Sequence, residues 1–148
     1  LRQDTAYALS DDGLDAAVCF LKIKDACPEL TFAGARIPLY YVRDRELTVI
    51  RGDRESIGYR RSDVNFSFTN HKVSIEKGIR FYMATDGYAD QFGGKDQRRF
   101  GSARFRHLLK EISGEPFEKQ RRMLTEAFEI HTGAHYRQDD VTVVGFGF

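Results

Sequence analysis

A strand that ends in an aspartate-glycine turn sets the frame for the rest of the chain. Ile79, Phe81 and Met83 alternate with Arg80, Tyr82 and Ala84, the period-two pattern of a β-strand. The strand runs into Thr85-Asp86-Gly87, where glycine permits a sharp turn. The periodicity then becomes helical. From Ser102, read as an N-cap, Phe105, Leu108, Leu109 and Ile112 recur at helix spacing and Ser113-Gly114 ends the run. Pro116 opens a second helix, Phe117, Leu124, Ala127 and Phe128 line its face, and Gly133 stops it. Val141 to Phe148 follows as a strand with a nearly continuous apolar run.

The first half reads as strands. After the turn signal Asp11-Asp12-Gly13 come Leu14 to Ile23, Glu29 to Ala33, Pro38 to Val42 and, beyond the polar turn Arg43-Asp44-Arg45-Glu46, Leu47 to Ile50. Their spacing predicts an antiparallel meander. Phe66 to Phe68 adds a short strand with its two rings on one face. Strands, two helices and a last strand make an α+β chain in which sheet and helices are layered.

At 148 residues the chain suffices for one domain with one core. With 12 Phe and 7 Tyr it has enough apolar bulk to fill that core, which excludes a disordered chain. The 23 basic residues are balanced by 22 acidic ones, so no nucleic-acid partner is demanded. No apolar stretch is long enough to span a bilayer, and the N-terminus lacks the layout of a signal peptide. The expectation is no nucleic-acid binding and no membrane contact by this segment. Cys19 lies in an apolar run and reads as a buried small hydrophobe; Cys27, before Pro28, reads as a turn residue. Two thiols make no disulfide framework, which points to a reducing, cytoplasmic setting. The chain begins with Leu1 rather than Met, as a piece of a longer protein does.

Asp86 lies just past the end of its strand, and Asp139 and Asp140 lie just before the last one. If these strands pair antiparallel, carboxylates distant in sequence meet at one sheet edge. Converging carboxylates with no Lys or Arg between them repel, and a hard cation such as Mg²⁺ or Mn²⁺ relieves that repulsion. On spacing alone, the same residues also read as a plain turn and a polar loop.

The motifs add a resemblance. Phe81-Tyr82-Met83-Ala84-Thr85-Asp86-Gly87-Tyr88-Ala89-Asp90-Gln91 resembles the Thr-Asp-Gly segment of the type-2C metal-dependent protein phosphatases, and is most similar to their bacterial SpoIIE-like branch. Gln138-Asp139-Asp140-Val141-Thr142-Val143-Val144-Gly145 resembles the terminal segment of the same family. Gln91-Phe92-Gly93-Gly94 and the helix after Phe100-Gly101 are similar to that branch's insert. Asp12-Gly13-Leu14-Asp15 and Phe32-Ala33-Gly34-Ala35-Arg36-Ile37-Pro38-Leu39 are similar to its middle strands, and Gly58 to the glycine after the next one. The likeness runs from about Asp12 to the C-terminus, with the motifs in order.

The resemblance implies a layered antiparallel β-sandwich flanked by helices. It implies that Asp86 and Asp139 are metal ligands for Mn²⁺ or Mg²⁺, two ions in the complete domain, which activate water for in-line attack at phosphorus. Asp140 stands where other branches carry Asn and is not assigned. The implied activity is hydrolysis of phosphoserine or phosphothreonine on a bacterial regulator of the anti-sigma-factor-antagonist type. The family also has an N-terminal segment like Asp-x-x-Gly-His-Gly with a bridging aspartate, which this sequence lacks. The expectation is therefore the C-terminal part of a single domain over residues 1–148, inactive alone, binding metal weakly or not at all. Exposed edges would favour a homo-oligomer. The alternative is a non-catalytic interaction module of a signalling protein.

Other features carry competing readings. His131 and His135 are four apart, as a helical zinc pair would be, with Gly133 between them and no third ligand evident. Arg98, Arg99, Arg104, Arg106 and Lys110, with Lys119, Arg121 and Arg122, read as a solvated helical face, as a docking surface for an acidic protein or, third because the chain's charge is balanced, as a nucleic-acid contact. Arg36, Arg43, Arg51, Arg54, Arg60 and Arg61 are each suited to a phosphate, and the sequence does not choose among them. Cysteine-based phosphatase chemistry needs an Arg six residues past the nucleophile; Asp25 follows Cys19 at that distance and Ala33 follows Cys27.

Overall fold

Two hairpins build the first half of the chain, and they lie in different sheets. The computed structural model describes residues 13–24, 27–58, 63 and 65–148. Arg60, Arg61 and most of the Asp11-Asp12-Gly13 turn lie outside the described residues. Strand β1 (Ala16–Lys22) pairs antiparallel with β2 (Glu29–Ala35), from Ala16 opposite Ala35 to Lys22 opposite Glu29. Strand β3 (Leu39–Arg43) pairs with β4 (Glu46–Ile50) through a two-residue turn. Asp44 and Arg45 in that turn have φ of 50° and 62°, the mirror-image geometry that matches strand twist.

The single meander expected from the spacing is therefore corrected to two sheets. The chain changes sheets between β2 and β3, where Arg36 takes φ 62° and the Ile37 N–H turns back to the Ala35 carbonyl at 2.8 Å. Strand β5 (His71–Ser74) joins the first sheet, giving the order β1-β2-β5. Strands β6 (Arg80–Ala84) and β9 (Val143–Gly147) complete the second, in the order β4-β3-β6-β9. Between β6 and β9 come α1 (Gly87–Asp90), a two-stranded ribbon of β7 (Phe92–Gly93) and β8 (Arg98–Arg99), α2 (Ser102–Ile112) and α3 (Phe117–Thr132).

Three layers result, with the four-stranded sheet in the middle. Between the sheets lie Leu30, Phe32, Leu39, Val73, Ile79 and Phe81, with Phe146 stacked on Phe81 at 5.3 Å. On its other face Val42, Tyr82 and Ala84 pack against Phe105, Leu109, Leu124 and Phe128 of the helices. Burial on both faces explains why β6 is apolar at successive positions. The α+β, layered antiparallel sandwich with flanking helices is thus the fold observed.

Three local expectations are corrected. Phe66 and Phe68 form no strand; their rings meet edge-to-face at 5.0 Å in a loop, so they satisfy each other locally. The strand comes later, at His71–Ser74, where only Val73 is buried and the apolar alternation is too sparse to stand out. Helix α2 is capped by Gly101, at φ 90°, and Ser102 is its first residue. Gly133 does end α3, its N–H bonding the Glu129 carbonyl at 2.9 Å. Cys19 is half-buried rather than buried, its Sγ 3.6 Å from Met83 Sδ, and Cys27 is exposed.

Candidate metal centre

Thr85 fastens together the two loops that carry the candidate ligands. Strands β6 and β9 pair antiparallel, with Ala84 opposite Val143. Beyond that pair the ladder continues: the Thr85 N–H donates to the Thr142 carbonyl at 3.1 Å. The Thr85 hydroxyl then donates to the Asp140 carbonyl at 2.8 Å and accepts from the Thr142 N–H at 3.0 Å. Asp86 follows at once, at the head of α1, with no side-chain capping bond. Asp139 lies on the facing loop, where its Oδ1 accepts the Asp140 N–H at 2.7 Å.

Gly87 allows the loops to touch. A Cβ there would lie 2.5 Å from the Asp140 carbonyl oxygen and 3.3 Å from Asp139 Cβ. The convergence anticipated from strand order is thus present at the backbone level: Asp86 and Asp139 end at one sheet edge, both exposed. Neither carboxylate forms an ion pair with Lys or Arg among the described residues.

Asp86 lines a cleft of about 290 Å³ together with Asp15, Arg36, Tyr40 and Asp90. Asp15 was not a candidate from the sequence; its only signal was its place in the segment Asp12-Gly13-Leu14-Asp15. It enters the cleft because Leu14, beside it, bridges to Ile57, while the Ser56 hydroxyl donates to Asp15 Oδ1 at 2.9 Å. Its Oδ2 sits 3.7 Å from Arg36 Nε. As a donor set, two exposed carboxylates without cationic partners suit a hard divalent ion. The set is partial: among the described residues no three His, Cys, Asp or Glu side chains converge as a metal site.

The sequence pattern described as Stage II sporulation protein E (SpoIIE) matches residues 3–148. The chain belongs to the SpoIIE family. The SiaA-PP2C domain of Pseudomonas aeruginosa superposes on this SpoIIE-family chain with a TM-score of 0.74 at 33% identity, covering 81% of this chain and 46% of that one. The phosphatase domain of SpoIIE from Bacillus subtilis, from a Mn-presoaked crystal, gives 0.60 at 18% identity, over 99% and 60%. The Mycobacterium tuberculosis serine/threonine phosphatase PstP/Ppp gives 0.52 at 17%, over 86% and 57%. The latter two support the fold. The chain spans about half to three-fifths of these relatives' length. No curated protein matches it.

The other candidate features of this SpoIIE-family chain resolve differently. His131 and His135 form no helical pair, because α3 ends at Thr132. His131 is buried; its Nε2 lies 3.1 Å from the Gln91 carbonyl and 3.2 Å from that of Arg98, and its Nδ1 lies 3.1 Å from Arg104. The two carbonyls accept only, so Nε2 carries the proton and Nδ1 accepts from Arg104. His135 is exposed. Much of the basic helical face is internally partnered: Arg99 with Asp90, Lys110 with Glu46, Lys119 with Glu115, and Arg121 with Glu118. No helix among the described residues is long and apolar enough to cross a membrane.

Proposed function

We propose that this chain is the C-terminal part of a protein serine/threonine phosphatase domain, in which Asp86 and Asp139 hold Mn²⁺ or Mg²⁺. The observation that carries the reading is the Thr85–Gly87 junction, which brings the two carboxylates to one edge in a chain of the SpoIIE family. A divalent ion bound there would supply an activated water and offset charge on the phosphoryl oxygens. The chain's own contribution is positional. Thr85 locks the loops in register, Gly87 lets them touch, and the exposed carboxylates form no ion pair with Lys or Arg among the described residues. The substrate proposed is a phosphorylated bacterial regulator of the anti-sigma-factor-antagonist type, met without nucleic acid or membrane contact by this segment.

The test is phosphate release from a phosphoserine peptide by the complete domain. Activity should require Mn²⁺ or Mg²⁺, and Asp86→Asn or Asp139→Asn should abolish it. Turnover that persists in EDTA, or in both variants, defeats the proposal. For the 148-residue chain itself, calorimetry should find weak Mn²⁺ binding or none; tight binding would show that the two carboxylates suffice.

A second reading, a non-catalytic interaction module, draws on the partial donor set. The segment upstream of Leu1 discriminates: a bridging aspartate in an Asp-x-x-Gly-His-Gly context favours the enzyme, and its natural absence favours the module.

A further inference from the structure

We propose that Arg36 is a phosphate-binding residue, presented by a strained turn at the mouth of the Asp86 cleft, and that Arg51 and Arg54 extend a basic track for the polypeptide bearing that phosphate. This rests on the phosphatase reading above and names the residue that would receive the substrate's phosphoryl group.

The turn comes first. Arg36 has φ 62°, a left-handed conformation that glycine or asparagine adopts with less strain than arginine. The surroundings over-determine it. Its N–H donates to the Asp53 carbonyl at 2.8 Å, and the Asp53 N–H donates to the Gly34 carbonyl at 2.8 Å. Gly34 and Gly52 press on the Ile37 carbonyl so closely that a Cβ on either would overlap it. An arginine held where glycine would be easier is an observed backbone outlier, and such outliers cluster at functional sites.

The side chain gives the turn little in return. Its one ion contact among the described residues is Asp15, at 3.7 Å, with the partners 54% and 41% exposed, a pairing that contributes little in water. Arg36 also lines the same cleft as Asp86, as does its partner Asp15. An arginine fork offers two parallel N–H donors to a pair of phosphoryl oxygens. A carboxylate suited to a cation and an arginine suited to an anion thus line one cleft.

Beyond this cleft lies a second, shallower one. Arg36 and Pro38 form their common wall, and Arg51 and Arg54 line its far side. Neither of those arginines has an ion-pair partner among the described residues. Asp53 between them is occupied, its carboxylate accepting the Thr69 N–H at 2.7 Å and the Thr69 hydroxyl at 3.0 Å. Arg43, equally eligible in the sequence, is drawn off to Glu76 and the Ser74 carbonyl. Among the described candidates the choice thus falls on Arg36, with Arg51 and Arg54 behind it.

The experiment is fluorescence anisotropy of the 148-residue chain with a labelled phosphoserine peptide and its unphosphorylated counterpart. Wild type should prefer the phosphopeptide. Arg36→Gly should erase that preference, by about tenfold or more for a lost charge-assisted pair. Its unfolding midpoint should stay equal or rise, because glycine suits the left-handed turn. Arg36→Lys should fall between. Arg51→Ala/Arg54→Ala should weaken both peptides alike and keep the preference. A wild type without preference, an Arg36→Gly that keeps it, or one that loses it together with stability overturns the assignment. Asp86→Asn, with hydrolysis measured in the complete domain, separates the two readings. If hydrolysis proves independent of Asp86 while Arg36→Gly abolishes phosphopeptide preference, the phosphatase reading fails and Arg36 stands. If hydrolysis needs Asp86 and Arg36→Gly binds normally, only Arg36 falls.

Discussion

Gly87→Ala tests the junction on which the candidate site depends. The added Cβ would lie 2.5 Å from the Asp140 carbonyl oxygen and 3.1 Å from its carbon. Ordinary carbon–oxygen contact begins at about 3.3 Å, so one loop must retreat by roughly 0.8 Å. The same carbonyl accepts the Thr85 hydroxyl at 2.8 Å, and a retreat of that size takes the bond beyond hydrogen-bonding reach. Losing it costs about 0.5–1.5 kcal/mol, while holding the loops in place as an overpacked contact costs about 1–3 kcal/mol. Replacing glycine by alanine in a helix returns about 0.5–1 kcal/mol. The net loss is therefore about 0–2 kcal/mol, a fall of roughly 0–6 °C in Tm for a chain of this size. The effect on the site should be larger, because the carbonyl that moves belongs to Asp140, next to Asp139. In the complete domain, phosphate release should fall by at least tenfold while the fold survives, as read by denaturant unfolding and by turnover across a Mn²⁺ series. Gly114→Ala is the control: nothing lies within 4 Å of its Cβ position, and turnover should not change. A Gly87→Ala enzyme with wild-type turnover and wild-type Mn²⁺ dependence would falsify the close approach of the two loops as the basis of the site.

Other consequences can be checked on the chain itself. Tyr82 donates to Gln120 Oε1 at 2.8 Å in the buried layer under α3, so Tyr82→Phe strands that oxygen and should cost about 1–3 kcal/mol in urea unfolding; no change would mean that water reaches it. Burial pushes the Cys19 thiol from 9.0 up to about 11, so iodoacetamide at pH 8 should label exposed Cys27 first and Cys19 roughly a hundredfold more slowly, by peptide mass. Because the folded thiol titrates above its unfolded value, its contribution to stability is complete below pH 9 and is lost as pH rises through about 11. Val18 and Phe20 on β1 are 65% and 59% exposed, so sedimentation velocity should show concentration-dependent association that Val18→Lys/Phe20→Glu abolishes; an unchanged sedimentation coefficient over a hundredfold concentration range would count against it.

The elements with a strong period were legible from residues alone. Strand β6, helices α2 and α3, the Gly133 stop and the convergence of Asp86 with the last strand all follow from local pattern and strand order. The failures share a cause. Phe66 and Phe68 alternate like a strand, yet their rings satisfy each other in a loop. His71–Ser74 lacks apolar alternation, yet it finds a free edge of β2. In both, a partner distant or local in the chain decided the outcome, and period cannot report partners.

What the sequence alone determined about this protein is its inventory: the alternating strand, the helical faces, and carboxylates at the ends of two strands, with motifs that mark the SpoIIE family. What only the tertiary structure decided is which groups meet. Arg36 became distinct from Arg43, Arg51 and Arg54 because a left-handed turn carries it into the Asp86 cleft. Asp15 joined the same cleft through Ser56, a residue 41 positions away. Propensity and periodicity act between neighbours in the chain, whereas a binding site is made where packing brings distant loops together, and that placement is set by the sheets and layers as a whole.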